Sequence, residues 1–372
     1  MSLRDDVFAF VRDVVIPAES QPLTEELIAT LREKARAAGI YGPQLPREYG
    51  GLGLNFLELC DLFEVAGRSF LGPLALHCAA PDEGNMHLLS LFANDEQRQR
   101  WLRPLAEGRI RSCFAMTEPA PGAGSDPSML QTRATRIDAG WQIDGRKWFA
   151  TGAEGAAFAI VMALTDEKRA TMFLVPTDTP GYRFVRAILT MGGHGVGGHC
   201  ELAFESMLVP DSAVIGEVGA GFRMAQVRLT PARLTHCMRW LGIAQRSLEI
   251  AATRARERDA FGKKLAEHQS IQWMLADSEI DLHASRVMVM DAARRHEAGS
   301  EIRHESSICK VFVAEAVNRV IDRAIQVCGS LGISSDLPLE LFYREARAFR
   351  IYDGPSEVHR MVIARDVLRS ES

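Results

Sequence analysis

Asp353 lies in the run Ala348-Phe349-Arg350-Ile351-Tyr352-Asp353-Gly354-Pro355-Ser356-Glu357-Val358-His359-Arg360, on a short break between two helical patterns. A carboxylate fixed at such a break is suited to general-base work if a substrate can be brought to it. The same triplet is ordinary turn chemistry: Asp tolerates the bend, Gly supplies positive φ and Pro blocks continuation. What separates the two readings lies elsewhere in the chain.

Two further segments have the composition of ligand-binding surfaces. Cys113-Phe114-Ala115-Met116-Thr117-Glu118-Pro119-Ala120-Pro121-Gly122-Ala123-Gly124-Ser125-Asp126 is rich in Gly, Pro and small residues, which lets backbone N–H groups approach a planar or anionic ligand. On composition alone it is more simply a surface loop. Lys147-Trp148-Phe149-Ala150-Thr151-Gly152 adds aromatic faces and a hydroxyl, suitable walls for a ring system. Gly193-His194-Gly195-Val196-Gly197-Gly198 satisfies G-x-G-x-x-G, but strand-like alternation follows where a dinucleotide fold requires a helix. His194, His199 and Cys200 lack further ligands at a plausible spacing, so no metal site is expected.

The elements that must position these residues fall into three regions. Up to about residue 112 the period is helical: Val7, Val11 and Val14 share a face until Pro17, and Thr24 with Glu25 and Glu26 opens a helix toward Gly39. Asn55 with Glu58, and Asn94 with Gln97, have the spacing of capping boxes. From about 113 to 215 the period is that of strands, with a hairpin expected over Gln142–Lys147, a buried strand over Phe158–Leu164, and further strands over Met172–Val175 and Glu201–Glu205. After Gly219-Ala220-Gly221 the helical period returns: Leu234, Met238, Leu241 and Leu248 form one stripe, Ile271, Leu275 and Leu282 another, and Val317, Ile321, Ile325 and Cys328 a third. Long amphipathic helices with short connections predict a bundle. The expected domains are helices over 1–112, a β domain over 113–215 and a helical bundle over 216–372.

Composition narrows the class. A chain of 372 residues with 47% hydrophobic and 24% charged residues is globular and long enough for two or three cores. No run reaches the roughly 20 apolar residues that span a bilayer, and the N-terminus lacks a signal-peptide pattern, so a soluble, cytoplasmic protein is expected. The 7 dispersed cysteines have no Cys-x-x-Cys spacing and read as buried, reduced thiols. A net charge of -5 gives no reason to expect nucleic acid as a partner.

The two segments Cys113–Asp126 and Lys147–Gly152, together with Arg258-Asp259-Ala260-Phe261-Gly262-Lys263 through Glu267-His268-Gln269, with Gln326-Val327-Cys328-Gly329, and with Tyr41-Gly42 through Gly50-Gly51-Leu52-Gly53-Leu54, resemble the acyl-CoA dehydrogenase family almost end to end. Arg233-Leu234-Thr235-His236-Cys237-Met238-Arg239, Ala80-Pro81-Asp82-Glu83-Gly84-Asn85-Met86 and Asp353-Gly354-Pro355 resemble the branch whose vertebrate members carry a fused kinase-like domain, for which this chain has no room. The resemblance implies an α+β multidomain fold: an N-terminal helical domain, a central β-barrel and a C-terminal four-helix bundle.

It also implies FAD. Phe114, Met116, Thr117 and Ser125 would meet the flavin, flanked by Phe149 and Thr151, while Arg258, Phe261, Gln269, Gln326 and Gly329 would hold the diphosphate and adenosine, partly across a subunit interface. Pro355 and Glu357 are further cofactor candidates. Arg233 would face the CoA end of the channel, and Ser125 and Gly354 would also line the substrate. A guanidinium suits a diphosphate because it donates charge-assisted, forked hydrogen bonds.

The implied reaction removes the proton α to a thioester and passes hydride from the β carbon to flavin N5, giving a trans-2-enoyl-CoA. Asp353 would be the base and its backbone N–H part of the oxyanion hole. Glutamate is usual there, so aspartate shortens the arm by one methylene, about 1.5 Å. Some relatives carry the glutamate instead at the position of Ala232, on a helix expected to begin at Thr230; no carboxylate stands there. Other departures are Pro355 and Glu357 for threonine and glutamine, Ala260 for a hydroxyl, Phe149 for tryptophan, and the inserted Ala120-Pro121. Implied partners are an acyl-CoA, an electron-transfer flavoprotein and further copies of the chain in a homodimer or homotetramer. Two alternatives share the fold: a flavin oxidase of a non-CoA substrate such as a nitroalkane, whose known example also uses aspartate, and a non-catalytic relative.

Overall fold

The structure is a computed structural model that describes residues 2–165, 169–193 and 195–369. Its N-terminal part is helical: α1 (Leu3–Phe10), α2 (Ile16–Ala18), α3 (Glu25–Ala37), α4 (Phe56–Ala66), α5 (Leu71–Ala75), α6 (Asp82–Phe92), α7 (Asp95–Gln97) and α8 (Arg103–Ala106). Thr24 caps α3 by accepting from the Leu27 N–H, and the capping boxes of Asn55 with Glu58 and Asn94 with Gln97 both form. The first stripe departs from its expected register. A π turn over Val11–Val15 inserts i→i+5 spacing, so the fully buried residues are Val7, Val11 and Val15, with Val14 only partly covered.

Strands follow: β1 (Ser112–Ala115), β2 (Arg133–Ile137), β3 (Gly140–Thr151), β4 (Phe158–Leu164), β5 (Ala170–Pro176), β6 (Tyr182–Ala187) and β7 (His199–Val209), in the order β1-β4-β2-β3-β7-β6 with β5 on β4. Its β4 and β5 strands are covered on both faces. Along β4, Phe158, Ile160 and Met162 enter the core shared with the helices, while Ala159, Val161 and Ala163 enter the core enclosed by the sheet. That two-sided burial explains the unbroken apolar runs of β4 and β5. The hairpin expected over Gln142–Lys147 is not there. Those residues belong to the continuous β3, and the reversal falls at Asp138-Ala139, between β2 and β3. Gly145, which suggested a turn, instead sits at a bulge against β7, packed so closely on Thr132 that a Cβ would lie 2.5 Å from its Oγ1.

The C-terminal part comprises α9 (Gly221–Glu257), a short hairpin of β8 (Asp259–Ala260) and β9 (Lys263–Lys264), then α10 (Gln269–Glu297), α11 (Arg303–Cys328), α12 (Leu339–Phe349) and α13 (Ser356–Arg369). The helix carrying Ala232 does not begin at Thr230: α9 starts at Gly221 and runs through Pro231. Packing of α9 against α4, α6, α10 and α11 outweighs the one backbone bond that proline removes. All 7 cysteines are free and buried. No helix among the described residues is long and apolar enough to cross a membrane.

One ion pair ties the Gly/Pro-rich loop to the sheet. Lys147 on β3 and Glu118 at the start of the loop are almost completely buried, 2.8 Å apart, and Lys147 Nζ also donates to the Met116 carbonyl. Glu118 accepts from the Gln131 and Thr132 N–H groups, so one carboxylate closes the loop at both ends. Burial raises the Glu118 carboxyl, but the Lys147 charge and these hydrogen bonds more than offset it and hold it below its ordinary value. Burial also pushes Lys147 down to about 8, so the ammonium still carries its charge at neutral pH. Glu118→Gln leaves that charge without a counterion and should lower stability by about 3–5 kcal/mol. Urea denaturation checks this, and the double variant with Lys147→Met should lose less than the single.

Candidate functional site

Asp353 occupies the turn between α12 and α13 with φ 54°, and Gly354 follows at φ 101°. Its carbonyl accepts from Arg233 Nε at 3.0 Å and from His359 Nε2 at 3.1 Å. Its carboxylate Oδ2 lies 3.1 Å from His236 Nε2. Burial favours the neutral acid, but the His236 hydrogen bond and the Arg228 and Arg233 guanidiniums outweigh it, and the carboxyl is held well below its ordinary value. Burial and the Arg239 charge hold His236 below its ordinary value, so at neutral pH the ring is uncharged and its Nε2–H donates to Asp353. His359 is pushed down to about 4, chiefly by burial, and its Nδ1 faces the Ser307 hydroxyl at 3.1 Å.

The opposite wall is built by β1 and β3. The Trp148 N–H donates to the Thr117 carbonyl, which brings Phe114, Met116 and Thr117 beside Phe149 and Thr151. A second bulge between Lys147 and Ala150 puts Phe149 at φ 48° and turns its ring outward, 45% exposed, between Trp148 and His199. The Thr151 hydroxyl lies 2.9 Å from His199 Nδ1. Ser125 is exposed on the loop above. His199 and Cys200 begin β7, and among the described residues no cluster of three His, Cys, Asp or Glu side chains could hold a metal; His194 lies outside the described residues.

Arg228 joins the two walls. Its guanidinium stacks 4.3 Å over the Phe114 ring, its Nε donates to Asn85 Oδ1 at 3.1 Å, and its charge acts on Asp353. Asn85 is held by the Ser112 hydroxyl, which donates to Asp82 at 2.6 Å. A Cβ at Gly84 would lie 3.0 Å from the Arg228 guanidinium carbon. Nearby, Glu83 accepts from Thr235 and lies 3.7 Å from Arg239. Arg228, His236 and His359 are the site residues that sequence reasoning did not single out. The available signal was three arginines and a histidine, Arg228, Arg233, His236 and Arg239, on the helix that also carries the apolar stripe of Leu234, Met238, Leu241 and Leu248.

The remaining candidates gather at the far end of the bundle. Arg258 follows the last residue of α9, Phe261 tips the β8–β9 hairpin at 97% exposure, and Gln269 opens α10. Arg254, one turn before Arg258, acts on the Cys328 thiol, so the exposed Gln326 and Gly329 stand near that end. At roughly 1.5 Å of rise per residue, Arg233 and Arg258 stand about 37 Å apart along one helix. The single chain therefore brings Phe114, Met116, Thr117, Phe149, Thr151, Arg233, Asp353, Gly354, Pro355 and Glu357 to one region, and places Arg258, Phe261, Gln269, Gln326 and Gly329 in another. Arg233 is 8% exposed, and its observed partner is the Asp353 carbonyl.

Three family models match the chain in succession: acyl-CoA dehydrogenase N-terminal domain over residues 1–109, middle domain over 113–207 and C-terminal domain over 219–368. The probable acyl-CoA dehydrogenase FadE2 of Mycobacterium tuberculosis is 42% identical over 355 residues, covering 93% of this chain and 86% of the relative. Acyl-CoA dehydrogenase family member 11 of Homo sapiens is 37% identical; the match covers 93% of this chain but only 45% of that protein, and other vertebrate relatives are likewise matched over half their length or less. The structure of butyryl-CoA dehydrogenase from Megasphaera elsdenii superposes with a TM-score of 0.86 at 29% identity, over 99% of this chain and 98% of that one.

Gly354→Ala tests the turn. The new Cβ would lie 2.6 Å from His359 Nε2 on a backbone that L side chains rarely adopt. A loss of about 1–3 kcal/mol is expected, read from the denaturant midpoint.

Proposed function

The chain belongs to the acyl-CoA dehydrogenase family and is an FAD-dependent oxidoreductase, and from that premise we propose that it converts an acyl-CoA thioester to the trans-2-enoyl-CoA with Asp353 as the base. The observation that carries this is an ionised, half-buried carboxylate whose residue is held at its carbonyl and at one carboxylate oxygen, across Arg228 from the Phe114 and Phe149 wall.

The residues present fit the cofactor. Phe149 turns an exposed ring into the wall beside the Thr151 hydroxyl, and Gly329, at φ 63°, has open space where a Cβ would stand, so a ligand can lie against its backbone. When bound, FAD supplies the hydride acceptor. Phe114, Met116, Thr117, Phe149 and Thr151 would orient its ring, and Ser125 would close over it. Arg258 and Gln269 would hold its diphosphate and adenosine.

Asp353 takes the α proton: the C–H electron pair stays with the substrate and delocalises onto the thioester oxygen, toward which we direct the Asp353 backbone N–H. Arg228 and Arg233 keep the carboxylate ionised before the step. Arg233, which donates to the Asp353 carbonyl, would face the CoA end of the channel, and Gly354 would line the substrate. The physical separation of the two cofactor-binding groups supports assembly from more than one chain, in which a second copy supplies Arg258, Phe261 and Gln269. The apolar stripe of Trp273, Ile280 and Val287, repeating every seventh residue on the exposed side of α10, supports the same assembly. An electron-transfer flavoprotein is the proposed acceptor.

Anaerobic titration with acyl-CoAs of graded length and branching should bleach the flavin absorbance, and failure across a broad panel overturns the reading. Asp353→Asn should retain FAD while its reduction slows about 10²–10⁴-fold.

A further inference from the structure

Asp353 is a base with a short arm, and what fixes the direction of that arm is visible in the structure. The carbonyl is anchored by Arg233 and His359, which sets the backbone but leaves the carboxylate free to turn about two bonds. The contact that restrains it is His236 Nε2 on Oδ2 at 3.1 Å. His236 itself is held, half-buried on α9 one turn beyond Ala232, with its ring 5.0 Å from that of Tyr352 and 6.4 Å from that of Phe349.

We propose that His236 is the positioning residue of the base: its Nε2–H ties Oδ2 of Asp353 and leaves Oδ1 as the atom that receives the α proton. This rests on the reading of Asp353 as the base. In the step, the Cα–H bond breaks, its electron pair remains on the substrate, and a new O–H bond forms at Oδ1; His236 neither gains nor loses a proton. A neutral donor is well suited to this task. It orients the carboxylate without adding the full charge of an imidazolium, which would make the carboxylate a weaker base.

Charge around the pair comes from every packed element. On α9 these are Arg228, Arg233 and Arg239, and on α6 Glu83. From the other side come Lys310 on α11, His359 on α13 and the Tyr352 phenol before the turn. None of them except His236 reaches the carboxylate oxygens by a hydrogen bond among the described residues. Loss of the imidazole therefore removes orientation and one favourable hydrogen bond to the charged form, while the arginine charges remain.

The test uses the FAD-loaded protein and an acyl-CoA that bleaches the wild type, with the rate of flavin reduction followed from pH 5 to 9. His236→Phe keeps the ring shape and loses the donor; His236→Gln keeps an N–H donor. The phenylalanine variant should retain FAD and reduce it about 10–100-fold more slowly, with a smaller change in half-saturating substrate. Because Arg228 and Arg233 still favour the ionised carboxyl, the slowing should persist across that pH range. The glutamine variant should recover most of the rate. Equal rates in the two variants, or a phenylalanine variant with the wild-type rate, overturn the proposal. If His236→Phe does not fold, His236→Leu takes its place in the same comparison. Should Asp353→Asn also reduce flavin at the wild-type rate, the base assignment itself fails, which separates that outcome from failure of the His236 role alone.

Discussion

Keeping one half-buried carboxylate charged governs how the three parts of this protein meet. An isolated buried carboxylate neutralises itself by taking a proton, so Asp353 stays ionised only because other elements bring it positive charge and hydrogen-bond donors. Most of these come from α9, where Arg228, Arg233, His236 and Arg239 project from about three turns of one helix. The arginines are themselves buried and need partners, which Asn85, Glu83 and the Asp353 and Cys78 carbonyls supply. Docking of α6 against α9, and of the α12–α13 turn against α9, is thus a matter of charge compensation as much as of apolar packing.

The β domain meets that requirement from the other side. Phe114 offers its face to Arg228, and β1 is fastened to α6 through Ser112 and Asp82. The Glu118–Lys147 pair and the bulge at Phe149 then set the loop and the aromatic wall relative to β1. Since β4 and β5 contribute alternate side chains to both cores, the sheet cannot shift against the helices without disturbing each of them.

Much of this was legible in the amino-acid sequence wherever a local rule acts alone. The caps at Thr24, Asn55 and Asn94, the two-faced strand at Phe158–Leu164 and the helix–strand–helix order each depend on neighbouring residues. The misplacements have tertiary causes. Val15 replaces Val14 because a π turn adds a residue to the repeat, Gly145 marks a close approach to Thr132 within a strand, and Pro231 is tolerated inside a helix packed on several sides. Asp353 was recognisable from its motif, but Arg228 and His236 were not. A charge on a helix ordinarily reads as solvated, and only the packing of α6, β1 and the α12–α13 turn shows that these face inward.

The positive φ of Asp353 has a consequence for how this site can change. In the left-handed region aspartate and asparagine are favoured over longer side chains, because a short polar group can bond locally there. The length of the base and the shape of the turn are therefore one variable, inherited together. A glutamate at 353 would gain reach while giving up the residue type that its backbone favours, so drift between the two acids requires coordinated change in α9 and the turn.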